Sequence, residues 1–204
     1  MIVIGLTGGI ASGKTTAADV LRRLGARIWD ADEAARAAVR PGSEGYRALR
    51  ARFGPEFFLS DGELDRRKLA EHVFGHPERL AELNRTLHPY ILADMRERLR
   101  AFEAEGAAVA VIDAPLLFET GIDREVDEVW VVSCGEDEQR ERLRRRNGYT
   151  GEESDARIAA QMPDAERRRR ADRVIDTSGQ RADTARYIEG LYLDMLEERR
   201  CEKP

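Results

Sequence analysis

Lysine is scarce in this chain of 204 residues: of 34 basic residues only Lys14, Lys68 and Lys203 are lysines, and all the others are arginines. Positive charge therefore sits on planar guanidinium groups, whose fixed fork of donors suits bidentate phosphate contacts in a way an ammonium does not. There is no basic excess either. At a net charge of -5 the chain lacks the footprint of a protein that binds nucleic acid through bulk charge, so no nucleic-acid partner is expected. Cysteines number two, Cys134 in an apolar strand-like run and Cys201 in the charged C-terminal stretch. They form neither a metal-ligand spacing nor a disulfide framework, and both are expected as reduced thiols. No apolar run approaches the roughly 18 to 20 residues of a membrane-spanning helix, and no basic region precedes an apolar stretch at the N-terminus. Repeats and low-complexity tracts are absent as well. These absences lead to the expectation of a soluble, cytoplasmic protein with no membrane partner, and 42% hydrophobic content is enough to bury a core.

What is present begins at residue 1, with "MIVIGLTGGIASGKTTAADVLRRLG". Gly8, four further residues, then Gly13, Lys14 and Thr15 match the phosphate-binding pattern G-x4-G-K-[ST]. The flanks fit its mechanism. "IVIGLT" is a short buried-strand pattern, and Val20, Leu21 and Leu24 lie on one helical stripe, so the loop runs from a strand into a helix. Glycines let the backbone turn its N–H groups inward, and the positive end of the helix dipole adds to them. The cradle, Gly8, Gly9, Ile10, Ala11, Ser12, Gly13, Lys14, Thr15 and Thr16, would hold the polyphosphate of a nucleoside triphosphate. Lys14 would reach the β- and γ-phosphates, and the Thr15 hydroxyl would coordinate Mg²⁺.

Such a loop names the donor and leaves the acceptor open. "ARIWDADEAARAAV" reads as a second strand over 26–29 and a helix from about Glu33, with Asp30 and Asp32 at the strand's carboxyl end. Either aspartate could orient an acceptor hydroxyl or cap the helix. Residues 43–75 read as helical and mixed, with a turn at "SDGELD" and Asp65 as a cap. From Leu80 to Phe102 the apolar residues step by three or four, which predicts an amphipathic helix that Pro89 should kink or break near "LHPYI". His88, at that joint, is either structural or a ligand to the acceptor. "AVAVID", "EVWVVSC" and "DRVIDTS" read as the third, fourth and fifth strands. Asp113 at the end of the third could join a Mg²⁺ shell. Leu116, Leu117 and Phe118 after it would pack beneath the loop or wall the substrate crevice. Between the last two strands lie "RERLRRRN" and "ERRRRADR", expected as a helix, a glycine-containing turn and two short helices, the place for a lid over the phosphates. Any single arginine there either meets phosphate or faces solvent. The final stretch, 182–199, should be a helix packed on the sheet through Ile188, Leu191, Tyr192 and Met195.

The blocks "GLTGGIASGKTT", "DADEAAR", "LNRTLHPYI", "DAPLLFETG", "RRRNGYTGEESDARIAAQ" and "ADRVIDTSG", in this order over residues 1 to about 179, resemble the dephospho-coenzyme A kinase family. The resemblance implies ATP- and Mg²⁺-dependent phosphorylation of the ribose 3′-hydroxyl of dephospho-CoA. The implied α/β architecture is a three-layer P-loop NTPase fold with a central five-stranded parallel sheet, a helical substrate-binding region and an arginine-rich lid. Along the chain this gives one kinase domain, 1–204, with its core at 1–42, 106–139 and 171–204, a helical region at 43–105 and a lid at 140–170, as a monomer or weak homo-oligomer. It also implies Asp32 as the acceptor-orienting carboxylate, Lys14 and Thr15 as phosphate and Mg²⁺ groups, and Arg142 or Arg146 as the lid arginine. His88, Pro89, Leu116 and Leu117 would meet the substrate, and Thr177 the nucleotide. Two positions depart from the family pattern: Arg146 is followed by Asn147 where Asp is common, and Thr177 stands where asparagine is common. A hydroxyl cannot reproduce an amide's paired donor and acceptor. Other classes fit less well. A GTPase should carry Asn-Lys-x-Asp, which is absent, and residues 140–173 hold a single aromatic, Tyr149, too few for base stacking by an RNA binder. A kinase for another small-molecule acceptor is the nearest alternative.

Overall fold

Five short apolar runs become the strands of one parallel sheet: β1 (Ile2–Gly8), β2 (Arg27–Asp30), β3 (Val109–Asp113), β4 (Glu128–Ser133) and β5 (Arg173–Asp176). The computed structural model describes residues 1–73 and 75–201. The strand order is β2-β3-β1-β4-β5, so the first strand is central and its neighbours come much later in the chain. β1 pairs with β3 through Leu6↔Asp113 and with β4 through Gly8↔Val132, which aligns the carboxyl ends of all three along one edge. All five residues of β3 are buried, as expected for a parallel strand covered on both faces.

The chain forms two compact units, Met1–Ile28 with Phe102–Pro204, and Trp29–Ala101. They part at 28/29 and 101/102. In the first, α1 (Lys14–Arg23) brings Ala17, Val20 and Leu21 onto strand residues Ile4, Leu6, Val111, Trp130 and Ile175. The C-terminal helix α9 (Arg181–Cys201) adds Ile188, Tyr192 and Met195 to the same core. Each of the larger aliphatic side chains among them contributes about 1.5–3 kcal/mol when fully buried. The segment 136–169 folds as α6 (Glu136–Asn147), α7 (Gly151–Ala159) and α8 (Asp164–Arg169), the expected three-helix pattern, within this unit.

The second unit holds α2 (Ala31–Ala38), α3 (Glu44–Phe53), α4 (Arg66–Val73) and most of α5 (Pro77–Ala104). Its core gathers Val39, Leu49, Phe57, Leu64, Leu69 and Val73, with Leu83 and Leu87 of α5 against them. The Asp65 carboxylate accepts from the Lys68 N–H at 2.9 Å, the cap expected of it. The expectation at Pro89 needs correction in one respect. The 28-residue α5 does not break and restart; it is helical through Pro89. Proline removes one N–H donor, whose acceptor would be the Arg85 carbonyl. The remaining turns, with Leu83 and Leu87 packed before Pro89 and Met95 buried after it, outweigh that loss.

Candidate active site

The loop between β1 and α1 is shaped by a left-handed glycine and a tight approach to β4. Gly13, at φ 95°, turns the chain into α1, and a Cβ there would also press on Arg142 Nη1 at 3.2 Å and Thr177 Oγ1 at 3.3 Å. At Gly8 a Cβ would fall 2.5 Å from the Val132 carbonyl. Ala11 is left-handed too, at φ 58°, a conformation that costs an L-residue roughly 1–2 kcal/mol. No side chain caps α1, so its first N–H groups remain available at the positive end of the helix dipole. The Ser12 hydroxyl, buried at 2% exposure, has no hydrogen-bond partner among the described residues. Uncapped N–H groups, a buried hydroxyl without a partner and an absence of acidic residues in the first turn of α1 fit a phosphate chain.

Lys14 opens α1, and its ammonium bonds the Asp113 carboxylate at the end of β3. Their side chains are only 17% and 9% exposed, so this charge pair sits at the inner wall of the loop. Thr15 is exposed and Thr16 half-buried. The Thr15 hydroxyl and the Asp113 carboxylate are the hard oxygen donors suited to Mg²⁺. No cluster of three or more His, Cys, Asp or Glu side chains occurs among the described residues.

Behind the loop, Arg142 and Thr177 form a brace. Arg142 donates through Nη1 to the Ala11 carbonyl at 3.1 Å and to Thr177 Oγ1 at 3.1 Å, through Nη2 to the Thr177 carbonyl at 2.6 Å, and through Nε to Glu138 at 2.8 Å. The Thr177 hydroxyl donates to the Ser12 carbonyl at 2.5 Å. Thr177 is 6% exposed and its polar atoms are engaged, so it supports the loop backbone and offers no hydroxyl to a nucleotide base, contrary to expectation. Arg142 is likewise committed to the protein. Arg146 is exposed at the end of α6, with Nε bonded to Asn147 Oδ1 at 2.9 Å. Cys134 is buried against this brace. Burial pushes its thiol up, partly offset by the Arg142 charge.

Two glutamines hold Ile10. Gln139 Nε2 donates to its carbonyl at 2.7 Å, and its N–H donates to Gln161 Oε1 at 2.7 Å. Arg167, which the sequence did not single out, is the buried member of the run 167–170. Helical periodicity in "DAERRRR" could have shown that one arginine faces inward, but α8 has six residues, too few to decide which.

The leucines after β3 separate. Leu117 is fully buried against β1, where a Cβ on Gly5 would meet its Cδ2 at 2.9 Å, while Leu116 is 52% exposed. Leu117 therefore offers no surface to a substrate, and Leu116 does. The two aspartates after β2 separate as well. Asp30 is the N-cap of α2, accepting from the Glu33 N–H at 3.0 Å. Asp32 lies in the first turn, exposed, with its carboxylate unpartnered among the described residues and only its carbonyl engaged, by Arg36 Nε at 3.0 Å. In α5, His88 is half-buried with Nε2 lacking a partner among the described residues, and Pro89 is exposed.

A family model described as dephospho-CoA kinase matches residues 2–183. The chain belongs to the dephospho-CoA kinase family. Its sequence is 48% identical over 187 residues to the dephospho-CoA kinase of Geobacillus kaustophilus, covering 92% of this chain and 93% of that one. The enzyme of Carboxydothermus hydrogenoformans is 45% identical over 186 residues, covering 91% and 90%. A crystal structure from Thermus thermophilus superposes with a TM-score of 0.81 at 35% identity, over 95% of this chain and 97% of that one. A shikimate kinase from Bacteroides thetaiotaomicron, at 17% identity and a TM-score of 0.51 over 94% and 98%, shares the fold alone. As a member of the dephospho-CoA kinase family the chain is a kinase on a nucleotide-binding P-loop fold, which agrees with the uncapped loop and the parallel sheet.

Proposed function

We propose that the protein transfers the γ-phosphoryl group of ATP to the ribose 3′-hydroxyl of dephospho-CoA, giving coenzyme A and ADP. Family membership over residues 2–183 supports the substrate. The observation that supports the donor is the loop 8–16, which enters α1 without a side-chain cap, whose Ser12 hydroxyl has no partner among the described residues and whose Lys14 is brought to its wall by Asp113.

In this mechanism a bond forms between the 3′-oxygen and the γ-phosphorus as the bridging bond to the β-phosphate breaks, and the hydroxyl proton passes to Asp32. A carboxylate is a weak base toward an alcohol. In a loose transition state it need only orient the hydroxyl and take the proton late, a contribution of roughly 10²- to 10⁴-fold. Lys14 exchanges part of its contact with Asp113 for the β- and γ-phosphate oxygens, and the loop N–H groups hold the β-phosphate. Thr15 and Asp113 would hold Mg²⁺, which when bound neutralises charge on the β- and γ-oxygens. Arg142 and Thr177 fix the carbonyls of Ala11 and Ser12, which keeps the loop open before the nucleotide arrives. Arg146, with donors left to spare, is available to the lid. His88 Nε2, Pro89 and Leu116 meet the substrate, with Leu117 supporting that loop from within.

The test is ADP release by purified protein with Mg²⁺ and ATP, run with dephospho-CoA, adenosine, CMP or no acceptor. Release that depends on dephospho-CoA is expected. Equal release without acceptor would make the protein an ATPase, and release with CMP alone would overturn the substrate. Action in the cytoplasm, as a monomer or weak homo-oligomer without a nucleic-acid partner, belongs to the same proposal, and sedimentation checks the oligomeric state. Among the described residues no helix is long and apolar enough to cross a membrane.

A further inference from the structure

Four consecutive arginines, 167 to 170, end α8 and begin the turn into β5, and they have different fates. Arg168 is exposed and donates to Ser133 Oγ at 3.3 Å. Arg170 donates to Asp123 Oδ2 at 3.0 Å and lies over the Phe118 ring, 4.1 Å from its centroid. Arg169 is exposed. Arg167 alone is buried, at 4% exposure, and its guanidinium has no hydrogen bond or ion pair to any described residue. The acidic groups whose fields reach it, Glu119 and Asp164, do not contact it, and Asp164 Oδ2 accepts instead from Ser133 Oγ at 2.7 Å. Burial draws the guanidinium below the usual arginine range, with those two acids acting the other way.

An arginine does not shed its proton in a protein, so the guanidinium of this buried residue, unpaired among the described residues, is a standing charge that lacks an anion. Its location says which anion. A Cβ built on Gly9 would lie 3.1 Å from Arg167 Nη1, 3.0 Å from Gln139 Nε2 and 3.6 Å from Gln161 Oε1. These glutamines grip the backbone of Ile10, the next loop residue. The guanidinium therefore faces the start of the phosphate loop, opposite the Gly13 end, where Arg142 and Thr177 are committed to loop carbonyls. Residue 9 has no side chain to fill that space.

We propose that Arg167 is the arginine that contacts the γ-phosphoryl group of bound ATP, in preference to Arg142 or Arg146. This rests on reading the loop as the site of an ATP-dependent kinase. Arg167 donates to γ-phosphate oxygens as charge spreads over them during transfer, and Gln139 and Gln161 keep Ile10 clear of its path.

The test compares wild type with Arg167→Met, which keeps an apolar stem and removes the charge, and with Arg167→Lys. Three quantities are measured: the unfolding temperature without ligand, the affinities for ATP and for ADP, and turnover with dephospho-CoA. In Arg167→Met, turnover should fall by roughly 10³-fold or more and ATP should lose its advantage over ADP, while ADP affinity stays within about twofold. The ligand-free melting temperature should hold or rise, because an unpaired buried charge has been removed. Arg167→Lys should recover only part of the turnover, since an ammonium cannot make the bidentate contact. An unchanged ATP-to-ADP affinity ratio, or failure of both variants to fold, would overturn the assignment and make Arg167 structural. If wild type turned over no dephospho-CoA while Arg167→Met still lost its preference for ATP, the substrate reading would fall and Arg167 would stand.

Discussion

Thr177→Val keeps a branched side chain and deletes one hydroxyl. That hydroxyl donates to the Ser12 carbonyl at 2.5 Å and accepts from Arg142 Nη1 at 3.1 Å, at a residue only 6% exposed. Water cannot readily replace it. A buried acceptor left without its donor costs about 1–3 kcal/mol, and loss of one further hydrogen bond about 0.5–1.5 kcal/mol. Arg142 retains the carbonyls of Ala11 and Thr177, which places its share at the low end. The sum is about 1.5–3.5 kcal/mol, or a fall in melting temperature of roughly 3–14 °C for a chain of this length. Because Ser12 belongs to the phosphate loop, ATP should also stabilise the variant less than it stabilises wild type. Differential scanning calorimetry with and without Mg-ATP measures both effects, and Thr177→Ser should recover most of the loss. A valine variant that melts within about 1 °C of wild type and gains as much from ATP would show that the brace does not hold the loop.

Lys14→Ala and Asp32→Asn should fail differently: the first loses nucleotide affinity and turnover, whereas the second loses roughly 10²- to 10⁴-fold in turnover with ATP binding nearly intact, by titration and steady-state kinetics. Near-normal turnover of Asp32→Asn would reassign the acceptor carboxylate. Burial pushes the Glu128 carboxyl up, but hydrogen bonds from Arg173 and the Trp130 indole, with the charges of Arg173 and Arg199, bring it net below its usual value. A depressed folded-state pKa stabilises above the ordinary carboxylate range and is lost as pH falls through the folded value. Glu128→Gln should therefore cost about 1–3 kcal/mol near pH 7, and its urea midpoint should converge on that of wild type below about pH 4; a constant gap would contradict the assignment. Iodoacetamide at pH 8 should modify exposed Cys201 well before Cys134, whose thiol is buried and raised, as peptide mass spectrometry would resolve; equal rates would refute it.

The parts of this molecule that can be read locally are those whose causes are local. The loop from Gly8 to Thr15 announces itself because a turn, a cradle of N–H groups and a helix start all need particular residues at fixed offsets. Apolar runs such as 109–112 give away buried parallel strands for the same reason. Asp30 and Asp32 were indistinguishable because their roles depend on where α2 begins, and a shift of two residues separates the cap from the uncommitted carboxylate. Pro89 misleads locally, since one lost hydrogen bond argues for a break that neighbouring packing overrides. The brace is beyond local reading altogether. Thr177 and Ser12 lie 165 residues apart, and Arg142 and Ala11 lie 131 apart, so only the closed sheet brings them together. Leu116 and Leu117 differ by one position and by the whole of their burial, which rests on Gly5 leaving room beneath β1 for only one of them.

The most direct measurement follows the label from [γ-³²P]ATP into product when the purified protein is given Mg²⁺ and dephospho-CoA. The expected product is labelled coenzyme A whose label is released by a 3′-nucleotidase, with one ADP formed for each. Label appearing as inorganic phosphate, or at any position resistant to that nucleotidase, would contradict it.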